Sequence, residues 1–245
     1  LIGAVELGGT KINVAVGTGP GDLRATARIP TTSPDQTLQA VIAFFRAQPP
    51  VSAVGIGSFG PVNLNRADPA WGSITKTPKP GWAHTPVAVT IADALGMPVA
   101  FDTDVNAAAL AEYRWGALAD CQTGLYLTVG TGIGGGVIID GRPHHGLIHP
   151  EMGHIRVKRA LGDNFPGVCA FHGDCAEGLA SGPAIEARLG ASLSKSAPDD
   201  PRRVHIFDTL GQALANYLFT LSPDRIVVGG ACQKHRVFTR HCASA

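Results

Sequence analysis

Ala4-Val-Glu-Leu-Gly-Gly-Thr-Lys-Ile-Asn-Val-Ala-Val16 returns in plan in the second half of the chain as Tyr126-Leu-Thr-Val-Gly-Thr-Gly-Ile-Gly-Gly-Gly-Val-Ile-Ile139. Each stretch is an apolar, β-prone run, a Gly/Thr turn and a second apolar run. Glycine allows a sharp turn and a close backbone approach to a ligand. Successive backbone N–H groups in such a turn form a concavity for anions. Two such hairpins could grip a polyphosphate from both sides, or they could be two ordinary tight hairpins; the repetition favours the first reading. Gly130-Thr-Gly132-Ile-Gly-Gly135 also matches the dinucleotide fingerprint in form, but that motif must open a helix, and a β-branched strand follows here. A Walker-type phosphate loop is absent from the sequence.

Working outward, strands are expected over Leu1–Leu7, Lys11–Val16, Arg24–Ile29, Val51–Ile56, Pro98–Phe101, Gly124–Val129, Gly136–Ile139 and Arg225–Val228. Helical spacing is read over Pro34–Ala47, Ile91–Leu95, Val105–Trp115, Pro183–Leu189 and Val204–Leu221. Proline and glycine dominate Gly57–Trp82, which reads as a long structured loop where Trp71 and Trp82 serve packing. Strands alternating with helices imply an α/β fold.

His149-Pro-Glu-Met-Gly-His154 is followed by Cys169-Ala-Phe-His172-Gly-Asp-Cys175-Ala-Glu177. His154, Cys169, His172 and Cys175 form a closed set of four zinc ligands, which suits a structural site. The alternative is two free cysteines beside surface histidines. Glu151 and Glu177 flank the ligands without a zinc-finger role, so the metal would brace a substrate site. Asp102-Thr-Asp104-Val-Asn106 follows a strand and opens a helix. A carboxylate there stands at a sheet's C-terminal edge, where α/β folds place ligands. Asp104 could equally be a helix N-cap.

The 245 residues carry 44% hydrophobic and 16% charged side chains and a net charge of +1. This provides a core without a field that would attract nucleic acid or an anionic membrane. No membrane-spanning run or signal peptide is read, and five cysteines without a disulfide pattern favour a reducing cytoplasm. Cys121, Cys232 and Cys242 fall outside the ligand set, and His144, His145, His205, His235 and His241 read as surface residues.

Taken together, these segments resemble the ROK family, and within it the fructokinase-like sugar kinases. Carrying the resemblance are Glu6–Lys11, Gly55–Pro61, Thr77–Trp82, Asp102–Ala109, Thr128–Gly134, His149–His154, the Cys/His cluster and Glu177–Pro183, in the family's order. The resemblance implies an actin-like, ribonuclease-H-like ATPase fold with two lobes, about residues 1–104 and 105–245, and a cleft between them. It implies ATP-dependent phosphorylation of a hexose 6-hydroxyl, with fructose the first expectation. A mannose- or glucose-preferring hexokinase and an impaired sugar binder are the alternatives. Asp104 matches the general base, and Thr103, Asp104, Glu151, His154 and Glu177 match sugar-binding positions. Gly8, Gly9, Thr10 and Lys11, with Gly130, Thr131, Gly132 and Gly134, match the phosphate turns; Gly229 and Gly230 match a turn near the adenosine. Structural Zn2+, Mg2+ with ATP and a homodimer are implied in the same way. Beyond Gly230 the family continues through a helix, a strand and a closing helix, so the polar tail here is expected to be a shortened C-terminus.

Overall fold

The structure is a computed structural model that describes residues 1–230 and the backbone of 236–239. The expectations for Cys232, His235, His241 and Cys242 therefore lie outside the described residues. Two compact units form: residues 1–108 with 145–149, and residues 109–144 with 150–245.

The first unit is built on a five-stranded sheet in the order β3-β2-β1-β4-β5. Its strands are β1 (Ile2–Leu7), β2 (Lys11–Gly19), β3 (Asp22–Pro30), β4 (Val54–Ser58) and β5 (Val99–Thr103). β1 is antiparallel to β2 and parallel to β4, with Leu7 opposite Ile12 and Ser58. Strict alternation along β1 buries Val5 and Leu7 and leaves Glu6 on the open face. The buried face packs against α1 (Pro34–Arg46), which contributes Leu38, Val41 and Phe45 from one helical stripe. Proline at the start of α1 suits the first helical turn, where its missing N–H costs nothing. α2 (Val87–Leu95) ends at Gly96 in the left-handed conformation, a common helix stop. It starts four residues before the helical spacing predicts, because tertiary burial of Val87 and Ala88 fixes its first turn. Within the long loop, Trp82 is completely buried, donates from Nε1 to Thr32 O at 2.9 Å and meets Phe59 edge-on. It is a packing residue, as expected.

The second unit repeats the topology. Its sheet runs β10-β9-β6-β7-β8, with β6 (Thr123–Val129), β7 (Ile133–Ile139), β8 (Arg142–Pro143), β9 (Arg225–Gly229) and β10 (Arg236–Thr239). β6 is antiparallel to β7 and parallel to β9, as β1 is to β2 and β4. The edges differ: β5 joins β4 in parallel, whereas β10 joins β9 antiparallel. β7 begins three residues earlier than expected. Its three glycines are weak strand formers, yet each has a partner on β6, Gly134 opposite Thr128 and Gly136 opposite Tyr126. α3 (Asp104–Trp115), which begins in the first unit, α4 (Ala176–Ala180), α5 (Gly182–Leu189) and α6 (Arg203–Leu221) are the remaining α-helices among the described residues. Ala176, Ala180, Ile185, Leu210 and Ala213 join Leu125, Leu127 and Val129 in one core. Inside it, Arg188 grips Asp163 through two bonds of 2.8 and 2.9 Å, which holds that carboxyl at a pKa of about 2. Arg188 thereby anchors the loop that leads to Cys169. Among the described residues, no helix is long and apolar enough to cross a membrane.

Candidate active site and metal centre

Asp104 is the first residue of α3 and follows directly on β5. The cap position belongs to Thr103: its Oγ1 accepts the Asn106 N–H at 3.1 Å, and the side chain is buried. Asp104 is thereby relieved of that bond, and its Oδ1 accepts the N–H of Val105 at 2.8 Å. Burial is the main influence on its carboxyl and raises it to about 6; the Val105 N–H opposes this, and the charge of Glu6 adds to it. A carboxylate held near the working pH is suited to accepting a proton. With Asp104 as the proton acceptor, kcat/KM should fall as pH drops through about 6, because the protonated carboxyl cannot take a proton. Initial rates between pH 4.5 and 8 test this, and a flat acid limb to pH 5 would contradict it.

Asp102 uses both carboxylate oxygens in the same corner. Oδ1 accepts from Thr103 N and from Asn106 Nδ2, each at 2.7 Å, while Oδ2 meets His145 Nε2 at 2.7 Å. His145, expected as an ordinary surface residue, is therefore tied to the motif that carries Asp104. No spacing in the sequence links residues 43 apart.

The first glycine turn closes through Gly8 N–H to Lys11 O at 3.1 Å. Thr31 pins it, its hydroxyl donating to Gly8 O at 2.7 Å and its N–H to Thr10 O at 3.0 Å. Gly9, Thr10 and Lys11 are exposed there. In the second unit, Gly130 N–H bonds Gly132 O at 2.9 Å, leaving Thr131 at the exposed tip; Gly134 follows in β7. Glu177 reaches this turn, its Oε2 accepting the Ile133 N–H at 3.0 Å. A Cβ at position 132 would come within 2.6 Å of that oxygen, so glycine is required for the contact. Gly230 has φ +103°, and a Cβ there would lie 2.5 Å from Val129 O, so only glycine lets the Gly229-Gly230 turn fold onto β6. Beside Gly130 and Thr131 opens a cavity of about 280 Å³, lined in part by Gly182, Glu186, Ser192 and Leu193. The last three carry no motif and could not be found from the sequence.

His154, Cys169, His172 and Cys175 bring their donor atoms within 4.8 Å of one another. His154 Nδ1 lies 3.5 Å from Cys175 Sγ and 3.7 Å from Cys169 Sγ, and His172 Nδ1 lies 3.8 Å from Cys169 Sγ. Zn–S and Zn–N bond lengths in a tetrahedron give ligand–ligand edges of roughly 3.5–3.8 Å. Three of the six donor pairs therefore lie at tetrahedral-edge distances, and the set has the chemistry of a closed zinc site. Burial pushes the Cys175 thiol up to about 11 in the absence of metal. With Nδ1 of His154 turned to the thiols, its Nε2 lies 4.0 Å from the Glu151 carboxylate. Cys175 is also the N-cap of α4, the helix that carries Glu177. The second unit thus gathers Glu151, His154, Glu177 and the glycine turn around one ligand cluster; Asp104 and the first turn belong to the first unit.

Known proteins similar to this chain are sugar kinases. A fructokinase from Zymomonas mobilis is 45% identical over 94% of this chain and 79% of its own length. One from Pediococcus pentosaceus is 41% identical over 96% of this chain and 82% of its own. The crystal structure of a ROK family glucokinase from Streptomyces griseus in complex with glucose and AMPPNP superposes with a TM-score of 0.73 at 28% identity, covering 94% of this chain and 83% of that one. The doubled sheet with a glycine hairpin in each unit is thus the actin-like ATPase fold of the sugar kinases. With the ROK family pattern matching residues 2–242, the chain belongs to the ROK family.

Proposed function

We propose that the protein is a fructokinase, transferring the γ-phosphoryl group of ATP to the 6-hydroxyl of fructose. The observation that carries this reading is Asp104: a carboxylate at the end of β5, freed from capping by Thr103 and raised to about pKa 6. The kinship to fructokinases at 41–45% identity supports fructose as the sugar.

In this reading Asp104 orients the 6-hydroxyl for in-line attack and takes its proton as the new O–P bond forms and the bond to the leaving ADP breaks. Thr103, Glu151, His154 and Glu177 complete the sugar contacts. For His154, a ring held at Nδ1 keeps its proton on Nε2, where it can donate to a sugar oxygen. Gly8, Gly9, Thr10 and Lys11, with Gly130, Thr131, Gly132 and Gly134, offer backbone N–H groups, and Lys11 its charge, to the phosphates. Gly229, Gly230 and the cavity beside Thr131 would take the nucleoside. Magnesium bound with ATP supplies counter-charge to the phosphates. Zinc on the four-residue cluster supplies a cross-link that orients His154, rather than Lewis-acid chemistry.

The test is ADP release with Mg-ATP against fructose, mannose and glucose. Fructose should give the highest kcat/KM, by roughly 10-fold, since these isomeric hexoses present hydroxyl sets that differ by one or two hydrogen bonds of about 1 kcal/mol each. A higher value for glucose or mannose would move the assignment to a related hexokinase. Sugar binding without ADP release would mark an impaired sugar binder.

A further inference from the structure

We infer that His145 is a positioning residue for the catalytic carboxylate, an inference that rests on Asp104 being the general base. The chain returns to the first unit for only five residues, His145–His149. Both ends of this segment are pinned by histidine side chains. At one end His145 Nε2–H donates to Asp102 Oδ2 at 2.7 Å. At the other, His149 Nε2 accepts the Val62 N–H at 3.1 Å. The two rings therefore carry their protons on opposite nitrogens, Nε2 in His145 and Nδ1 in His149.

The consequence lies at Asp102, two residues before Asp104. Its Oδ1 is committed to Thr103 N and to Asn106 Nδ2, and its Oδ2 to His145. Asn106 is 1% exposed and its N–H is bound by Thr103 Oγ1. Residues 102, 103 and 106 thus form a closed ring of bonds around the backbone of Asp104. Within the ring, Asp102 rotates only about its χ angles, and one more bond from outside fixes them. His145 supplies that bond. Its withdrawal lets the Asp102 carboxylate turn, loosens its hold on Thr103 and Asn106, and shifts the corner from which Asp104 projects. Catalysis is sensitive to such displacements; a misplacement near 1 Å can cost on the order of 100-fold.

The effect should appear in the rate and not in the stability. The side chains of His145 and Asp102 are 41% and 22% exposed, and a hydrogen bond that water can replace contributes little to folding. A merely structural pair would alter melting or nothing; a positioning pair lowers kcat.

The experiment compares His145→Ala and His145→Gln with the wild-type chain, together with Asp102→Ala and the double variant His145→Ala/Asp102→Ala. Glutamine places an N–H donor close to where the histidine Nε2 stood. We expect His145→Ala to lower kcat roughly 10-fold with both KM values within about 2-fold. His145→Gln should recover most of that loss. The double variant should be no slower than Asp102→Ala, because both changes break one chain of contacts. Unchanged kcat in His145→Ala, a glutamine variant as slow as the alanine one, or additive losses in the double variant would each overturn the inference. Asp104→Asn, run in parallel, separates the two readings. If it retains activity, the general-base assignment fails; if it is inactive while His145→Ala is fully active, only the positioning role fails.

Discussion

Asp104→Asn should abolish phosphoryl transfer while leaving the sugar bound. Asparagine has the size of aspartate and can still accept the Val105 N–H through its carbonyl oxygen, so the start of α3 is preserved. It cannot take a proton from a hydroxyl. Positioned bases contribute about 10²–10⁴-fold, so kcat should fall by roughly 10³-fold. The affinity for fructose should change by no more than about 3-fold, and the acid limb near pH 6 should disappear from any residual activity, because the group that titrates there is gone. Steady-state ADP release and calorimetric titration with fructose measure the two quantities. Turnover within 10-fold of the wild type would remove Asp104 from the chemistry.

The second large effect is expected at the metal cluster. Cys175 is completely buried and caps α4 while facing His154 Nδ1 at 3.5 Å. Serine is a good N-cap, so Cys175→Ser keeps the helix start and removes one candidate metal ligand. Loss of a structural metal belongs to the short list of changes that cost several kcal/mol. A loss of about 3 kcal/mol lowers the melting temperature by roughly 10 °C in a chain of this size. Sugar affinity should fall with it, because His154 and the helix bearing Glu177 lose their common anchor. Elemental analysis of the purified protein should find about one zinc per chain, and strong chelation should reproduce both losses. If the protein contains no zinc and chelation leaves melting and sugar affinity unchanged, the ligand reading is wrong. Arg188, holding Asp163 from the buried side, should keep part of the loop in place after metal loss, so the unfolding is expected to be local.

Much of the candidate site could be read from short-range pattern. The two glycine hairpins lie where the repeated motif put them, and a strand, not a helix, follows Gly132, as the β-branched residues there require. The four candidate ligands needed only their spacing to be grouped, and the structure brings all four together. Element ends were less legible. The starts of α2 and β7 are fixed by burial and by pairing with β6, and neither leaves a local signal.

The choice between Thr103 and Asp104 as the helix cap shows the limit most clearly. Both residue types cap helices, and the sequence places them side by side. Only backbone geometry decides which oxygen meets the Asn106 N–H, and it selects Thr103. The contacts of His145 with Asp102 and of Glu177 with Ile133 are likewise tertiary, joining residues 43 and 44 positions apart. By itself, then, the sequence determined the α/β class, the hairpin turns, the grouping of the four candidate ligands and the position of the acidic motif. These depend on periodicity, glycine conformation and ligand chemistry, which act over a few residues. The tertiary structure alone decided the raised pKa of Asp104, the ring of bonds around it and the reach of Glu177 to the second turn. Burial and hydrogen bonding between distant segments exist only after the chain has folded.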